Sequence, residues 1–377
     1  PPIGGRMNLA ESSVFLATTA RIRNGKRQGM TISLKLMVDY LVPRTKWLVV
    51  LDQPIRSDPD TASVHSLYID GELNYTSRYK WAPKGKARIM LSNMIAAWDS
   101  GRYSGYRFDL FIAGDVLNAF VGYWLRKNGR VKRLCYVVAD YTKDRRGRIY
   151  NILDRFAYKR ADIILNTTGK DREDRGLEPK ASVFETDMPS LCPPVEPENF
   201  KPRNGHVIGY LGSLEERFGV EKAILAMPYV LEAVPDASLE ILGSGPDREK
   251  LEKLAHGLPV RFWGFLPDEE AVTVATHWRV GLAPYDDTLK DVDSGKLRFY
   301  AFCGVPMVIS TKTPLMVDLV NKFGAGIDAN PTPEMIAGAV SLFFLSDGFY
   351  LGCVEGCRKL VESHESTPYF DKLFSEI

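Results

Sequence analysis

The chain has 377 residues, enough for two domains that each bury a core, which excludes a peptide or a small disulfide scaffold. Hydrophobic residues make up 45% and charged residues 25% of the sequence, a globular balance that excludes a chain disordered throughout. The net charge of +2 conceals an asymmetry, because residues 1–200 carry 32 Lys and Arg against 22 Asp and Glu (+10), whereas residues 201–377 carry 17 against 25 (−8).

The first half of the chain alternates short apolar runs with amphipathic stretches, which is typical of βα units around a parallel sheet. Its start, Pro1 to Ala10, lacks the layout of a signal peptide, so no leader is expected. The segment 148–160 is predicted to be a helix whose apolar stripe faces the core: Ile149, Ile152, Leu153, Phe156 and Ala157. The predicted strands of this half are Ser13–Thr18, Trp47–Leu51, Phe108–Ala113, Leu134–Ala139 and Ile163–Asn166.

A proline-rich segment, Met188 to Asn204, has five prolines and no periodicity, so it is predicted to connect two domains. Beyond it the alternation restarts, and the predicted strands are His206–Leu211, Ser238–Leu242, Val260–Trp263, Val280–Ala283 and Pro306–Ser310.

We therefore predict an α/β fold of two Rossmann-like doubly wound domains that face a cleft. The first domain is expected over residues 1–190, the linker over 191–205 and the second domain over 206–345. Helices formed by residues 346–377 are expected to pack back on the first domain. The longest apolar helical stretch, Met335 to Leu345, falls short of the roughly 20 residues that span a bilayer, so no transmembrane segment is expected.

Glycine-bearing strand-to-helix junctions are the motifs with the clearest chemistry, because glycine lets the backbone approach a phosphate and a helix N-terminus attracts its charge. In the first junction a strand ends at Leu211, Gly212 and Ser213 form the turn, and Arg217 can reach back over it. The alternative is that Gly212 merely ends a strand.

The second junction contains Gly243 and Gly245 but lacks the third glycine of the dinucleotide fingerprint, so a nicotinamide cofactor is not expected. In the third junction a polar loop leads through Ser294, Gly295 and Lys296 into a short predicted helix. This arrangement places a lysine and free backbone N–H groups at a helix start.

As an ordered set these motifs resemble the retaining nucleotide-sugar glycosyltransferases of the two-domain GT-B fold, in particular the large family 4 (glycosyl transferases group 1). The similarity runs from about Val207 to Ile327. The first half agrees mainly in architecture, with one similar run at Arg160–Asn166. In the second half the similar segments are the Gly212 turn, Pro235–Gly245, Val260–Gly264 and the Lys-Leu-x-x-Tyr-x-x-x-Gly-x-Pro series Lys296–Pro306.

The resemblance implies a hexosyltransferase that moves a sugar from a nucleotide-sugar donor, UDP- or GDP-linked, to a glycan, lipid-linked or protein acceptor. It implies retention of configuration and no metal. In the family a basic pair holds the donor diphosphate, and the similar positions here are Arg217 and Lys296. Breaking the sugar–phosphate bond leaves an anionic diphosphate, so fixed positive groups beside it should lower the barrier.

Two candidates lie in the first domain. Asp140 follows the strand Leu134–Ala139, where it would contact a donor-sugar or acceptor hydroxyl, or else act as a helix N-cap. Gly29, with Gly25, lies in the loop after the first strand, where the resemblance implies a glycine-rich loop near the phosphates or the acceptor. The alternative for this loop is a flexible exposed segment. The remaining donor-binding candidates are Gly264, Tyr285, Asp287, Asp291, Ser294, Gly295, Phe299 and Tyr300.

Phe299 departs from the family pattern, which has a glutamate at this position that typically reads the nucleotide ribose. The acidic partner eight residues earlier falls on Asp291. Ribose recognition must therefore differ, and three hypotheses stay open. Another acid such as Asp287 or Asp293 takes over, the donor is unusual, or the chain is a degenerate transferase that binds a nucleotide or glycan without turnover.

The amino-acid composition limits which binding partners and which cellular compartment are expected for the chain. Five scattered cysteines are too few for a disulfide framework and favour a reducing compartment, so a cytoplasmic protein is expected. The sequence shows no clustered acids for magnesium and no His and Cys spacing for zinc, so no metal is expected. The basic first half suits an anionic membrane face, an acidic acceptor or simply a solvated surface. No nucleic-acid motif is present, so nucleic acid is not an expected partner.

Overall fold

The computed structural model describes residues 7–19, 21–23, 26–28, 32–54, 62–79, 85–103, 105, 107–138, 148–167, 175–176, 183–188, 190–285, 294–311 and 313–377. Six of the candidate residues named above lie outside these described ranges: Gly25, Gly29, Asp140, Asp287, Asp291 and Asp293. The chain divides into two compact units. Unit 1 comprises Pro1–Leu191 and Ser366–Ile377, and unit 2 comprises Cys192–Glu365.

The strands of unit 1, within the described residues, are β1 (Ser13–Thr19), β2 (Arg21–Arg23), β3 (Lys26–Gln28), β4 (Trp47–Gln53), β5 (Val64–Ile69), β6 (Glu72–Arg78), β7 (Phe108–Ala113), β8 (Val131–Val138), β9 (Ile163–Asn166) and β10 (Phe184–Asp187). Its helices are α1 (Ile32–Leu41), α2 (Lys86–Tyr103), α3 (Val116–Lys127) and α4 (Arg148–Tyr158), and the last helix of the chain, Ser366–Glu376, belongs to the same unit.

The main sheet of unit 1 has the strand order β10-β9-β8-β7-β1-β4-β5-β6, and β2 and β3 form a separate antiparallel pair. The strands from β10 to β4 run parallel, whereas β5 and β6 add an antiparallel edge beside β4. Strand β1 is almost wholly buried because it lies centrally and is covered on both faces. One apolar cluster joins the sheet to α1 and the last helix, and a second joins the other face to α2, α3 and α4.

The prediction for the helix now defined as α4 is partly wrong. Ile149 and Ile152 are 76% and 65% exposed, although both were expected in the core. The buried side of α4 instead carries Asp154, whose carboxylate binds the buried guanidinium of Arg175 at 2.8 Å and accepts a hydrogen bond from the Tyr136 hydroxyl, also at 2.8 Å. A buried charge that is paired in this way can occupy the core side of a helix.

The strands of unit 2 are β11 (Val207–Leu211), β12 (Ser238–Leu242), β13 (Val260–Gly264), β14 (Val280–Pro284), β15 (Met307–Ser310) and β16 (Gly326–Asp328). Its helices are α5 (Val220–Ala233), α6 (Arg248–Leu254), α7 (Asp268–Ala275), α8 (Gly295–Phe302), α9 (Pro314–Phe323), α10 (Pro333–Leu345) and α11 (Asp347–Ser363); the last helix of the chain is α12 (Ser366–Glu376).

The sheet of unit 2 is parallel throughout, with the order β13-β12-β11-β14-β15-β16. Helices α5 and α10 pack on one face, and α8, α9 and the second half of α11 pack on the other. Covering both faces leaves the edge formed by the carboxyl ends of the strands as the place where loops and helix N-termini meet.

Residues 192–205 of the predicted linker are part of unit 2, whereas Leu191 belongs to unit 1. Arg203 donates hydrogen bonds to the carbonyls of Thr276 and Gly304, both at 2.6 Å, and of Asn199 at 3.0 Å. Cys192 and Glu365 form a parallel β-bridge, and the Cys192 N–H donates to the His364 carbonyl at 2.8 Å. Unit 2 therefore begins and ends at neighbouring positions.

The C-terminal segment 346–377 divides between the units. Helix α11 belongs to unit 2, and only α12 belongs to unit 1. The expectation that the whole segment packs on the first domain is therefore wrong for α11, whose residues Cys357, Leu360 and Val361 are fully buried against α8 and α9. Among the described residues no single helix is long and apolar enough to span a bilayer; α10 and α11 pass that test only as a pair bent by 98°.

Candidate functional site

The candidate site of unit 2 lies at the carboxyl ends of β11 to β14 and at the start of α8. Each of these strands runs directly into a predicted site residue: Gly212 after β11, Gly243 after β12, Gly264 at the end of β13 and Tyr285 after β14. Ligands bind at this edge in open α/β sheets, because the strand ends there leave backbone groups free.

The glycine turns contact each other through their backbones. Gly243 has a φ of +149°, and a Cβ at this position would lie 1.8 Å from the Gly212 carbonyl oxygen. Its N–H donates to the Gly264 carbonyl at 2.7 Å, while the Gly212 N–H donates to the Leu242 carbonyl at 2.9 Å. The structure thus brings Gly212, Gly243 and Gly264 together, and a Cβ at Gly243 does not fit unless the Gly212 backbone moves.

Lys296 lies in the first turn of α8 and is 8% exposed. Its Nζ has no hydrogen-bond partner among the described residues. Instead it lies 4.0 Å from the ring centroid of Tyr210 and 4.9 Å from that of Tyr285. Aromatic faces attract a cation but replace only part of its lost hydration, so burial lowers the pKa of Lys296 to about 7. A bound anion would supply the missing partner.

The start of α8 adds backbone donors beside Lys296. The Ser294 side chain does not cap the helix, because its hydroxyl forms a short hydrogen bond with the Tyr285 hydroxyl instead. The first-turn N–H groups at Gly295 and Lys296 are therefore not satisfied by a side-chain cap, and the helix dipole adds positive potential at the same place.

Arg217 is placed differently from Lys296. Its guanidinium forms an ion pair with Glu215, with Nη2 and Nε at 3.0 and 3.1 Å from Oε2, and its side chain is 40% exposed. Glu215 also accepts a hydrogen bond from the Ser213 hydroxyl at 2.8 Å. An incoming phosphate would compete with Glu215 for Arg217. Glu215 was not predicted from the sequence, although an acid two residues before Arg217 indicates a partner for its guanidinium.

Tyr300 links two strands of the sheet through its hydroxyl. The side chain is fully buried; its hydroxyl accepts the Leu211 N–H at 2.9 Å and donates to the Leu282 carbonyl at 2.8 Å. It therefore ties the end of β11 to β14 beneath Lys296. A donor contact at Tyr300 stays a prediction, and in this structure its hydroxyl is bound to these two backbone groups.

Phe299 is half-buried and packs against the apolar cluster that surrounds α8. Its ring lies 6.3 Å from that of Tyr300 in an edge-to-face arrangement. The position that carries a glutamate in the resembled family thus faces an apolar environment in this chain.

Phe299→Glu should weaken nucleoside diphosphate binding about tenfold, because the new carboxylate would lose hydration and repel the phosphates without gaining a partner. Titration of the variant with UDP and GDP, monitored by tryptophan fluorescence, measures this. Phe299→Leu is the control and should bind normally. Tighter binding by the glutamate variant would show that the pocket still accommodates the family carboxylate.

Within the described part of the chain, no group of three or more His, Cys, Asp or Glu side chains is placed to hold a metal ion. His65 contacts the Ser100 hydroxyl at 3.0 Å, and His206 contacts the Asp236 carboxylate at 2.8 Å, so both have local partners. These contacts suit packing and surface roles rather than a shared site.

Comparison with solved structures identifies the fold. The chain superposes on HepE of Anabaena in complex with UDP-glucose over 97% of its length and 99% of that chain, with a TM-score of 0.65 and 12% identity. Sucrose-phosphate synthase from Thermosynechococcus elongatus gives a TM-score of 0.63 at 17% identity over 97% and 98% of the two chains. The catalytic domain of Arabidopsis thaliana starch synthase IV, bound to ADP and acarbose, gives 0.64 at 13% over 97% and 99%. The predicted α/β fold of the GT-B type is confirmed.

The similarity to a known family lies within unit 2. Residues 205–343 match the family model of the glycosyl transferases group 1. A GDP-mannose-dependent α-(1-6)-phosphatidylinositol dimannoside mannosyltransferase of Mycobacterium tuberculosis is 34% identical over 132 residues, which is 35% of this chain and 33% of that protein. Sulfoquinovosyl transferase SQD2 of Arabidopsis thaliana is 41% identical over 54 residues, 14% of this chain and 11% of that one. The aligned segments thus cover a third or less of these curated relatives.

Fold and family model agree. The chain has the GT-B fold, and residues 205–343 of unit 2 match the family model of the glycosyl transferases group 1. The predicted resemblance is confirmed at this level.

Proposed function

We propose that this protein transfers a sugar from a nucleotide-sugar donor to a glycan, lipid-linked or protein acceptor, as a retaining, metal-independent enzyme of family 4. The observation that carries the proposal is the buried Lys296 ammonium, which has aromatic neighbours and no hydrogen-bond partner in the described chain. A nucleotide diphosphate supplies the anion that such a group needs. The names of the relatives support this donor class, since they include a GDP-mannose-dependent enzyme and complexes with UDP-glucose, UDP and ADP.

The proposed chemistry follows from the placement of charge. As the bond between the sugar and the diphosphate breaks, negative charge grows on the leaving oxygens, and Lys296 with the α8 N–H groups is fixed beside the glycine turns to receive it. Arg217 would add a second charge after exchanging Glu215 for a phosphate oxygen. Because Tyr300 fixes the strand ends and the turns already touch, little reorganisation is needed at the moment of reaction.

Nucleoside diphosphate affinity should decrease as the pH rises above about 7, the value to which burial lowers the pKa of Lys296. Below that pH the free protein already holds the ammonium, so affinity is constant; above it, binding must first protonate Lys296, so the Kd rises about tenfold per pH unit. Calorimetric titration with UDP and GDP across this range measures the slope. A Kd independent of pH above 7 would contradict the diphosphate role of Lys296.

The experiment that tests the function has two steps. A thermal-shift panel of nucleoside diphosphates identifies the base, since a ligand that binds only the folded state raises its melting temperature. Radiolabelled nucleotide-sugars with the selected base are then tested for release of the diphosphate, with Arg217→Ala as the variant expected to slow release. The absence of a thermal shift with every diphosphate tested would contradict donor binding, whether or not turnover follows.

A second candidate function is a binding module that holds the nucleotide or a glycan without turnover. It is favoured by one observation, the half-buried Phe299 in an apolar environment. The two candidates separate in the second step of the same experiment. A diphosphate shift without donor hydrolysis or transfer supports the binding module.

We place the protein in the cytoplasm, with attachment to the anionic inner face of a membrane that also holds the acceptor. The support is the +10 charge of residues 1–200. Nucleic acid is not among the proposed partners.

A further inference from the structure

We infer that the outer face of α2, α3 and α4 docks on an anionic lipid bilayer. This docking face is defined by exposed apolar side chains on all three helices. Ile149 and Ile152 on α4 are its most exposed members, at 76% and 65%. The others are Met90, Leu91, Ile95 and Trp124.

The six side chains share one surface because their helices form one layer. Helix α2 packs on α3 and α3 on α4, and all three cover the same face of the unit 1 sheet. The α3–α4 junction is fixed by aromatic packing, with the Phe156 ring 5.0 Å from Tyr123 and 5.3 Å from Phe120. The docking face is therefore preformed.

The charges of this layer are mostly positive. The sequences of α2, α3 and α4 contain seven Lys and Arg and two Asp, and no Glu. One of the two acids, Asp154, is buried in its ion pair with Arg175, so Asp99 is the acid that remains at the surface. Apolar residues surrounded by basic ones are the pattern of a helix that lies in the interface of an anionic membrane.

A cavity of about 400 Å³ adjoins the docking face between α3 and the end of α4. Arg126 donates to the Arg160 carbonyl at 2.9 Å and pairs with Asp162, while the Arg160 guanidinium lies 4.0 Å from the Phe156 ring centroid. With Lys127 and Lys159 the lining holds four cations and one carboxylate. Its net positive charge and its position beside the apolar residues fit the phosphate of a lipid headgroup.

Charge also decides between occupants of the docking face. A second copy of this chain would bring the same positive charge against itself, which costs free energy, whereas anionic lipid neutralises it. The inference gives a location to the membrane attachment proposed above, but it does not depend on donor chemistry. Vesicle binding and nucleotide binding can therefore fail separately.

The test is co-sedimentation of the full chain with phosphatidylcholine vesicles, with and without phosphatidylglycerol. Ile149→Ser/Ile152→Ser should lower the partition coefficient into anionic vesicles at least about tenfold, because both side chains would leave the acyl boundary. The matched control is Leu342→Ser/Leu345→Ser on α10 of unit 2, where the side chains are 50% and 69% exposed and binding should not change.

A second pair of variants tests the charge. Lys127→Glu/Lys159→Glu should lower anionic-vesicle binding by a similar factor and flatten its salt dependence. Lys253→Glu/Lys322→Glu makes the same change in net charge at exposed positions of unit 2 and should bind better than the first pair. All variants should keep the far-ultraviolet circular dichroism and any diphosphate thermal shift of the parent.

Three results would overturn the inference. The first is equal binding of parent, test and control variants. The second is equal binding to vesicles with and without phosphatidylglycerol. The third is a dimer in size-exclusion chromatography that the Ile149→Ser/Ile152→Ser change dissociates, because the docking face would then be an interface between copies. Loss of the diphosphate shift with vesicle binding intact would count against the proposed function and not against the docking face.

Discussion

Lys296→Met should abolish the proposed sugar transfer and at the same time raise the melting temperature of the chain. The methionine side chain has a similar length and fits among the rings that surround Nζ. The cost of burying an ammonium that has no hydrogen-bond partner among the described residues disappears. Transfer should be lost because the fixed positive charge beside the leaving oxygens is gone. Activity and stability then change in opposite directions, as expected of a functional residue rather than a structural one.

The pH dependence of this stability difference has a defined sign. Burial lowers the pKa of Lys296 from 10.5 to about 7, so between these values the unfolded chain binds the proton and the folded chain does not. Stability contributed by this residue therefore rises with pH across that window, and the advantage of Lys296→Met is largest below pH 7 and fades toward the upper value. Melting curves of both proteins across the window measure it.

The control is Lys322→Met on α9, where the lysine also lies over a ring, 5.1 Å from the Phe323 centroid, but is exposed. It should change neither transfer nor the pH profile of melting. A lower melting temperature for Lys296→Met than for the parent below pH 7 would mean that the ammonium is compensated in the free protein, and the argument for a missing anion would fail.

Gly243→Ala should destabilise unit 2 by about 3 kcal/mol and remove diphosphate binding, because the new Cβ would lie 1.8 Å from the Gly212 carbonyl oxygen. Moving this oxygen costs free energy, because it belongs to the backbone that forms the Gly212 turn. Urea unfolding measures the stability loss, and a thermal-shift titration with the selected diphosphate measures binding.

Two glycines separate the clash from other effects of the substitution. Gly257 has a φ of +80° with no atom within 4 Å of an added Cβ, so Gly257→Ala reports backbone strain alone. Gly338 lies inside α10 with the same open space, and Gly338→Ala should stabilise the helix by about 1 kcal/mol. If Gly243→Ala cost no more than Gly257→Ala, the contact between the two turns would not constrain the site.

Much of the sheet framework was predictable because buried parallel strands have continuous apolar runs. The predicted strands Phe108–Ala113, Ile163–Asn166 and Ser238–Leu242 agree residue for residue with β7, β9 and β12. The antiparallel edge was missed, because β6 is almost entirely exposed and its sequence has no apolar pattern to read. The periodicity of apolar residues reflects which side chains a strand buries, so an exposed strand has no such periodicity from which it could be predicted.

The orientation of side chains was less predictable than their position. The apolar stripe of α4 was read correctly as a stripe, but the helix turns Asp154 inward because Arg175 and Tyr136 satisfy its carboxylate. In the site, Lys296 and the glycine turns were predicted from the glycine-bearing strand-to-helix junctions and from the family resemblance. The burial of Lys296 and the Arg217–Glu215 ion pair depend on contacts between separate elements, which no single segment of sequence encodes.

The bridge between Cys192 and Glu365 has a consequence for chain topology. The first and last residues of unit 2 are partners in this bridge, so unit 2 is an insertion within unit 1. Leu191 and Ser366 of unit 1 are each covalently bonded to one of the two bridge partners. Consecutive Cα atoms are about 3.8 Å apart, so a linker of a few residues suffices to rejoin the two flanking segments. Residues 192–365 can therefore be produced as a separate protein, and the two segments that flank them can be joined by a short linker into a second protein. Each of these two proteins keeps all the strands of its own sheet.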